Sequence, residues 1–291
     1  MIYEIRPCRS ALYLPASNPR AIEKSRTLPC DAVILDLEDA VAPEMKVEAR
    51  MAAVAAFAAG GFGRRMKVLR VNALDTEWGA DDLAAAATLD IDAVLAPKVD
   101  GPEDVARYDA ALAAAQPGLK LWVMIETCLA VGRLQAIADA ALSTRLAGFV
   151  MGTNDLALEM RSRTMADRAN MLPILTFALA AARSRGLIAL DGVCNDFSDL
   201  DRFRVEAEQG LALGFDGKTL IHPAQIGPSN AVFSPTEAEI ARARSITAAF
   251  AMPEHAGKGA IRLDGRMVER LHLVEAERVL AVAGAIDSQK P

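Results

Sequence analysis

The sequence predicts a (β/α)8 TIM barrel with a C-terminal helical extension. Three observations carry that prediction. Short apolar runs rich in Val, Ile and Leu recur about eight times, and longer amphipathic stretches separate them. The runs are continuously apolar rather than alternating, as strands of a parallel sheet buried on both faces must be. The chain has 291 residues, which suits one α/β barrel of about 250 residues with an appendage. Eight units in series favour a closed barrel over an open sheet.

In chain order, strands are expected at Ala11–Leu14, Ala32–Leu35, Val68–Val71, Ala93–Ala96, Leu121–Ile125, Gly148–Met151, Ile188–Gly192 and near Phe215–Thr219. Amphipathic stretches at Lys46–Ala59, Glu103–Ala115, Leu129–Ala141, Ala166–Arg185 and Ser198–Leu213 are expected as helices. The first loop, Pro15-Ala-Ser-Asn-Pro-Arg20, leads into a helix start that brings Arg20 and Lys24 close together. Backbone N–H groups, the helix dipole and two cations there could receive an anion. The same residues also suit an ordinary capped helix with an exposed basic face.

The texture changes after about Gly227. Ser234 can cap a helix opening at Pro235, with Glu237 completing an S-x-x-E box. A loop at Met252–Gly259, a short segment Ala260–Leu263, a turn at Asp264-Gly265 and a helix from about Arg266 to Ala285 are expected next. The expected division is therefore a catalytic barrel over 1–228 and a helical extension or lid over 229–291. Such a tail is a natural candidate to reach a neighbouring subunit.

Composition excludes several classes. Hydrophobic residues make up 52% and charged residues 24%, ample for a core and unlike a disordered chain. A net charge of −6 argues against a nucleic-acid-binding surface, although a local basic pocket for a phosphorylated ligand is compatible with it. The stretch MIYEIRPCRSALYL lacks a basic flank followed by a long apolar core, so no signal peptide is expected. No uncharged stretch is long enough to cross a bilayer. Cys8, Cys30, Cys128 and Cys194 show no CxxC spacing and are expected as free thiols in a reducing, cytoplasmic setting.

The position of the polar residues carries the chemistry, because active sites of such barrels lie at the C-terminal ends of the strands. The second run ends in Asp36-Leu-Glu38-Asp39, the third carries Arg70 and Asn72, and the fourth ends in Pro97-Lys98. Glu126 follows the fifth run, Gly152-Thr-Asn-Asp155 the sixth, Asp191 ends the seventh, and Lys218 and His222 mark the eighth. Glu126 and Asp155, at adjacent strand ends, read as ligands of Mg²⁺, which takes few protein oxygens and keeps waters. Zinc fits poorly, because no His or Cys lies close by in sequence. Arg70 sits inside an apolar strand and needs an anion. An internal pair with Asp36 or Glu38 and a substrate carboxylate are both compatible with it. His222 reads as structural.

With these residues in place, the sequence resembles the citrate lyase β-subunit and malyl-CoA lyase branch of the HpcH/HpaI aldolase family. The stretches that carry the resemblance are RSALYLPASNPRAIEK, DAVILDLEDAV, VLRVNA, VLAPKVD, VMIET, GTNDLA, GFDGKTLIHPAQI and GKGAIRLDGRMVE, in family order over nearly the whole chain. The resemblance implies a Mg²⁺-dependent lyase that cleaves or forms a carbon–carbon bond beside an acyl-CoA thioester, releasing or taking up glyoxylate, pyruvate or oxaloacetate. It implies Glu126 and Asp155 as magnesium ligands and Arg70 as the arginine that holds the acid end. Arg20 and Lys24, with Lys98, are implied in substrate or CoA binding. Glu38 and Asp39 are implied as the acidic motif near the metal. It also implies a homotrimer or hexamer.

One departure concerns the late motif Gly265-Arg-Met-Val-Glu269, where many acyl-CoA lyases of this type carry Asp. Glu269 keeps the carboxylate of an acid/base but lengthens its reach by a methylene. Malyl-CoA, citramalyl-CoA and citryl thioesters all remain open as substrates, as does a thioesterase step. A metal-dependent aldolase of free 2-oxoacids and a non-catalytic acyl-CoA-binding barrel are the alternatives.

Overall fold

The computed structural model describes residues 6–163 and 165–289. The strands of the main unit are β1 (Ser10–Pro15), β2 (Ala32–Asp36), β3 (Met66–Arg70), β4 (Ala93–Ala96), β5 (Lys120–Ile125), β6 (Leu146–Met151), β7 (Ile188–Asp191) and β8 (Gly217–Leu220). Among the described residues these eight parallel strands close into a barrel in chain order, with β1 paired to β8. The helices of this unit are α1 (Pro19–Ser25), α2 (Lys46–Ala59), α3 (Gly79–Ala87), α4 (Pro102–Ala111) and α5 (Cys128–Gly132). They continue with α6 (Leu134–Asp139), α7 (Thr153–Glu159), α8 (Leu172–Ser184), α9 (Leu200–Leu213) and α10 (Ile226–Val232). The (β/α)8 architecture expected from the periodicity is therefore the one observed.

Strand alternation sorts the side chains into two cores. Leu12, Leu35, Leu69, Val94, Val123 and Phe149 belong to the larger core, which also holds the helical residues Ile22, Ala49, Leu83 and Phe203. Ala11, Ile34, Val68, Leu95, Trp122, Met124, Val150 and Leu190 form a second cluster that fills the barrel interior. Two residues beyond Ile34, Val68 and Met124 stand Asp36, Arg70 and Glu126, all buried. The apolar period that builds the interior thus delivers charge to its mouth.

Several helix limits differ from the sequence expectation for local reasons. The stretch Ala166–Arg185 becomes helical only from Leu172, because Pro173 suits the first turn and not the interior. Leu129–Ala141 breaks at Arg133, which leaves the helical region with φ −127° and ψ 14°. The helix at Glu103 stops at Ala111 rather than Ala115.

The chain divides into two compact units, the barrel unit Cys8–Phe233 and a second unit whose described residues run from Ser234 to Gln289 together with Arg6 and Pro7. The second unit contains α11 (Glu237–Phe250), β9 (Ala260–Leu263), β10 (Arg266–Glu269) and α12 (Arg270–Gln289). Thr236 caps α11 and Glu239 closes the box, two residues later than the expected Ser234 and Glu237. Arg266–Glu269, expected as the start of a helix, is instead a strand. Asp264 and Gly265 both have positive φ, 49° and 77°, and turn the chain into an antiparallel hairpin that pairs Glu269 with Ala260. Asp-Gly is the residue pair such a tight turn selects. Ile246, Ile261, Val268 and Ala276 form the core of this unit. Among the described residues no helix is long and apolar enough to cross a membrane.

Candidate active site at the barrel mouth

Arg70, at the end of β3, is the centre of the first charge cluster. Its Nε donates to Asp36 Oδ1 at 2.7 Å and its Nη2 to Asp36 Oδ2 at 2.6 Å, a bidentate pair between adjacent strand ends. Nη1 lies 2.7 Å from Glu38 Oε2 and donates to Asp39 Oδ2 at 3.3 Å. The guanidinium also stacks over Tyr13, 4.9 Å from the ring centroid. Asp36 in turn accepts from the backbone N–H of Glu38 at 2.9 Å and of Ala40 at 3.1 Å, so one carboxylate sets both the arginine and the acidic loop. The internal pairing anticipated for Arg70 is present. Its guanidinium remains at the mouth, oriented by Asp36.

The loop is held from below by Lys46 of α2. Its buried ammonium donates to Leu37 O at 2.8 Å, Glu38 O at 2.7 Å and Asn72 Oδ1 at 2.7 Å. Asn72 is fixed by Asp82, which accepts from its side chain at 2.7 Å and its backbone at 3.0 Å. Burial lowers the Lys46 ammonium from its ordinary value, against the pull of Asp36 and Glu38. Lys46 and Asp82 escape sequence reasoning, because a charged residue on an amphipathic helix reads as a solvated face. The one signal in the sequence is that both fall on the apolar side of their helices.

The second cluster joins Glu126, Asp155 and Lys98. Glu126 is fully buried, and its Oε1 accepts the Lys98 backbone N–H at 2.7 Å. Lys98 adopts φ 51° to turn this N–H inward. Its ammonium lies against Asp155 Oδ1 in a short contact and 3.6 Å from Glu126 Oε1. Burial works against the Lys98 charge, but Glu126 and Asp155 more than offset it and hold the ammonium above its ordinary value. Burial pushes the Glu126 carboxyl up, against the pull of Lys98. Lys98, expected at a substrate or CoA group, is thus engaged by the two carboxylates.

Glu126 Oε2 is buried without a hydrogen-bond partner. An orphaned carboxylate oxygen beside a second carboxylate is what an oxygen-seeking cation would complete. Among the described residues no group of three or more His, Cys, Asp or Glu forms a ligand set, so the protein would supply few ligands. Magnesium, which keeps several waters, fits that supply. Gly152 makes the space. A Cβ there would come within 2.4 Å of Glu126 Cβ and 2.6 Å of Oε2.

Asp191 and Lys218, also read from sequence as rim groups, form a separate structure. Lys218 is fully buried within β8 and contacts Asp191 Oδ2 at 3.0 Å, Glu206 Oε1 at 2.7 Å and Gly192 O at 2.5 Å. Arg168 pairs with Asp191 at 2.8 Å. His222 caps a short turn through Nδ1 and stacks on Phe197 at 4.8 Å between centroids, a structural role. Arg20 and Lys24 are exposed on α1, which Asn18 caps. Cys8, Cys30 and Cys194 are buried, and Cys128 is exposed. Glu269 ends β10 in the second unit, where its backbone N–H donates to His272 Nδ1 at 2.9 Å. A pocket of about 300 Å³ adjoins α7, lined in part by Asn154, Arg168, Cys194 and Arg202.

The mouth has a pH signature. Burial pushes Glu38 up to about 8, Arg70 pulls it down, and Glu126 adds to the push. An acid raised in the folded state favours folding most below its ordinary value, and that contribution is lost as pH rises through the folded value. The metal-free protein should therefore lose thermal stability between about pH 5 and pH 8. Thermal unfolding in chelator should show the slope, and Glu38→Gln should flatten it. An identical slope in the variant would assign the effect elsewhere.

The family described as HpcH/HpaI aldolase/citrate lyase matches residues 9–223. A (3S)-malyl-CoA thioesterase of Cereibacter sphaeroides is 49% identical over 286 residues, covering 98% of each chain. An L-malyl-CoA/beta-methylmalyl-CoA lyase of the same species is 33% identical over 309 residues, covering 97% of this chain and 96% of the relative. Among solved structures, CitE from Mycobacterium tuberculosis, in complex with magnesium, acetoacetate and coenzyme A, superposes with a TM-score of 0.77 at 29% identity. That match covers 96% of this chain and all of CitE.

Proposed function

The chain belongs to the HpcH/HpaI aldolase/citrate lyase family, and from that premise we propose that it hydrolyses a malyl-CoA-type thioester to the free hydroxyacid and CoA. The observation that carries the reading is the 49% identity to malyl-CoA thioesterases across 98% of both chains, against 33% to the malyl-CoA lyase. The reaction breaks the thioester C–S bond, forms a C–O bond from water, and returns a proton to the CoA sulfur.

The mouth supplies what such a reaction needs. The substrate's hydroxyacid end is oxygen-rich and anionic, and Arg70 presents a preorganised cation to it, oriented by Asp36 and Glu38. Glu126 and Asp155 are the residues that would hold magnesium, and Glu126 Oε2 is the oxygen left open for it. A bound magnesium ion supplies Lewis acidity and a template for substrate oxygens. Lys98, which lies against both carboxylates, would yield its place and offer its ammonium to the substrate. Lys46 keeps the Glu38 loop in register through two backbone carbonyls, so Glu38 and Asp39 stay on Arg70 Nη1.

Carbon–carbon cleavage is the second reading, favoured by the lyase relative and by CitE bound to acetoacetate and coenzyme A. In that reading Glu269, at the position where many such lyases carry Asp, would act as the acid/base. One incubation of malyl-CoA with magnesium separates the two. Hydrolysis is expected to release free thiol and malate in equal amounts without glyoxylate. Acetyl-CoA and glyoxylate would establish the lyase instead, and an unchanged thioester would sink both.

A further inference from the structure

Tyr13 is a polar side chain at the barrel mouth to which the chemistry above gives no part. It lies on β1 between Leu12 and Leu14, whose side chains belong to the outer core, while Tyr13 packs on the interior cluster. Ala11, two residues earlier, is inside the barrel, so Tyr13 also faces inward, level with Ile34 and one layer below Asp36 and Arg70 at the strand ends. The Arg70 guanidinium covers one face of its ring. Its hydroxyl is buried and has no hydrogen-bond partner. A buried phenol almost always finds a partner.

The neighbouring charges identify the missing partner. Arg70, Asp36, Glu126 and Glu38 all act electrostatically on the phenol. Burial pushes the phenol well above its ordinary range, so it keeps its proton and can donate. Three of the four neighbours are carboxylates. A ligand rich in oxygen finds acceptors in excess at this mouth and needs donors. Tyr13 and Glu126 present complementary orphans, an O–H without an acceptor and a carboxylate oxygen without a donor or cation.

We infer that the Tyr13 hydroxyl is a substrate-binding donor that hydrogen-bonds an oxygen of the small-acid end of the bound thioester, an inference that rests on the reading of this mouth as a hydroxyacyl-CoA site. Arg70 then plays two parts, as a cation for the acid and as the lid that fixes the Tyr13 ring.

Tyr13→Phe tests this with three readouts on the full chain in magnesium. The ring and its contact with Arg70 survive, and only the hydroxyl goes. Because that hydroxyl has no protein partner, the melting temperature of the ligand-free protein should stay level or rise. The dissociation constant of L-malate, measured by calorimetry, should weaken by about 10- to 100-fold, the range of a hydrogen bond involving a charged group. The dissociation constant of CoA should not change, and KM for malyl-CoA should rise as malate affinity falls. A lower melting temperature would make the hydroxyl a structural group and overturn the inference. Unchanged malate affinity would overturn it too. Failure of the underlying reading shows separately, as a wild-type protein that neither binds malate nor consumes malyl-CoA.

Discussion

Glu126→Gln is expected to remove the magnesium response and lower turnover by about 10³-fold, while the metal-free protein stays as stable as the wild type. The two effects separate because the two oxygens of Glu126 have different duties. Oε1 accepts the Lys98 N–H at 2.7 Å, and the amide oxygen of Gln can accept it equally. Oε2 has no partner in the protein, so its loss breaks nothing in the fold. The carboxylate is also buried and held above its ordinary range by burial, so removing its charge relieves a desolvation cost. Thermal unfolding with and without magnesium is the decisive measurement. The wild type should rise with magnesium by mass action on the native state, and the variant should not. A variant that keeps its magnesium-dependent shift would remove Glu126 from the metal site, whatever happened to turnover.

The barrel is legible in the sequence because parallel strands buried on both faces leave continuous apolar runs, and eight of them stand in order. Arg70, Glu126 and Asp155 are legible because each belongs to or closely follows such a run. What is not legible depends on partners distant in sequence. Asp191 and Lys218 look like rim groups until Arg168 and Glu206, on other elements, turn them inward. Tyr13 looks like core, since an aromatic ring in an apolar strand reads as packing, and only the alternation with Leu12 and Leu14 marks it as inward. The Arg266–Glu269 strand reads as helix although the Asp-Gly turn signal is present. The 20-residue helix that follows carries its pattern back over the hairpin. Lys98 reads as reaching for substrate, because nothing in sequence shows that φ 51° folds it back onto Glu126.

Lys218→Met is expected to destabilise the fold more than any substitution at the mouth, and for reasons unrelated to the chemistry there. Four groups form a buried neutral set in which Lys218 and Arg168 balance Asp191 and Glu206. Lys218 has no exposure at all, and its three contacts use all three ammonium hydrogens. Removing it leaves one uncompensated negative charge and an unsatisfied Gly192 carbonyl in the interior. Breaking a buried pair from one side costs about 3–5 kcal/mol, which for a unit of this size lowers the melting temperature by about 6–20 °C. Burial pushes the Asp191 carboxyl up, but Lys218 and Arg168 pull it below its ordinary range. The favourable contribution is therefore present above the ordinary carboxylate value and is lost only as pH falls through the depressed one. Adding Glu206→Gln to Lys218→Met restores neutrality, leaving Arg168 with Asp191, and should recover part of the lost stability. Two losses that simply add would mean that Lys218 acts through packing rather than charge.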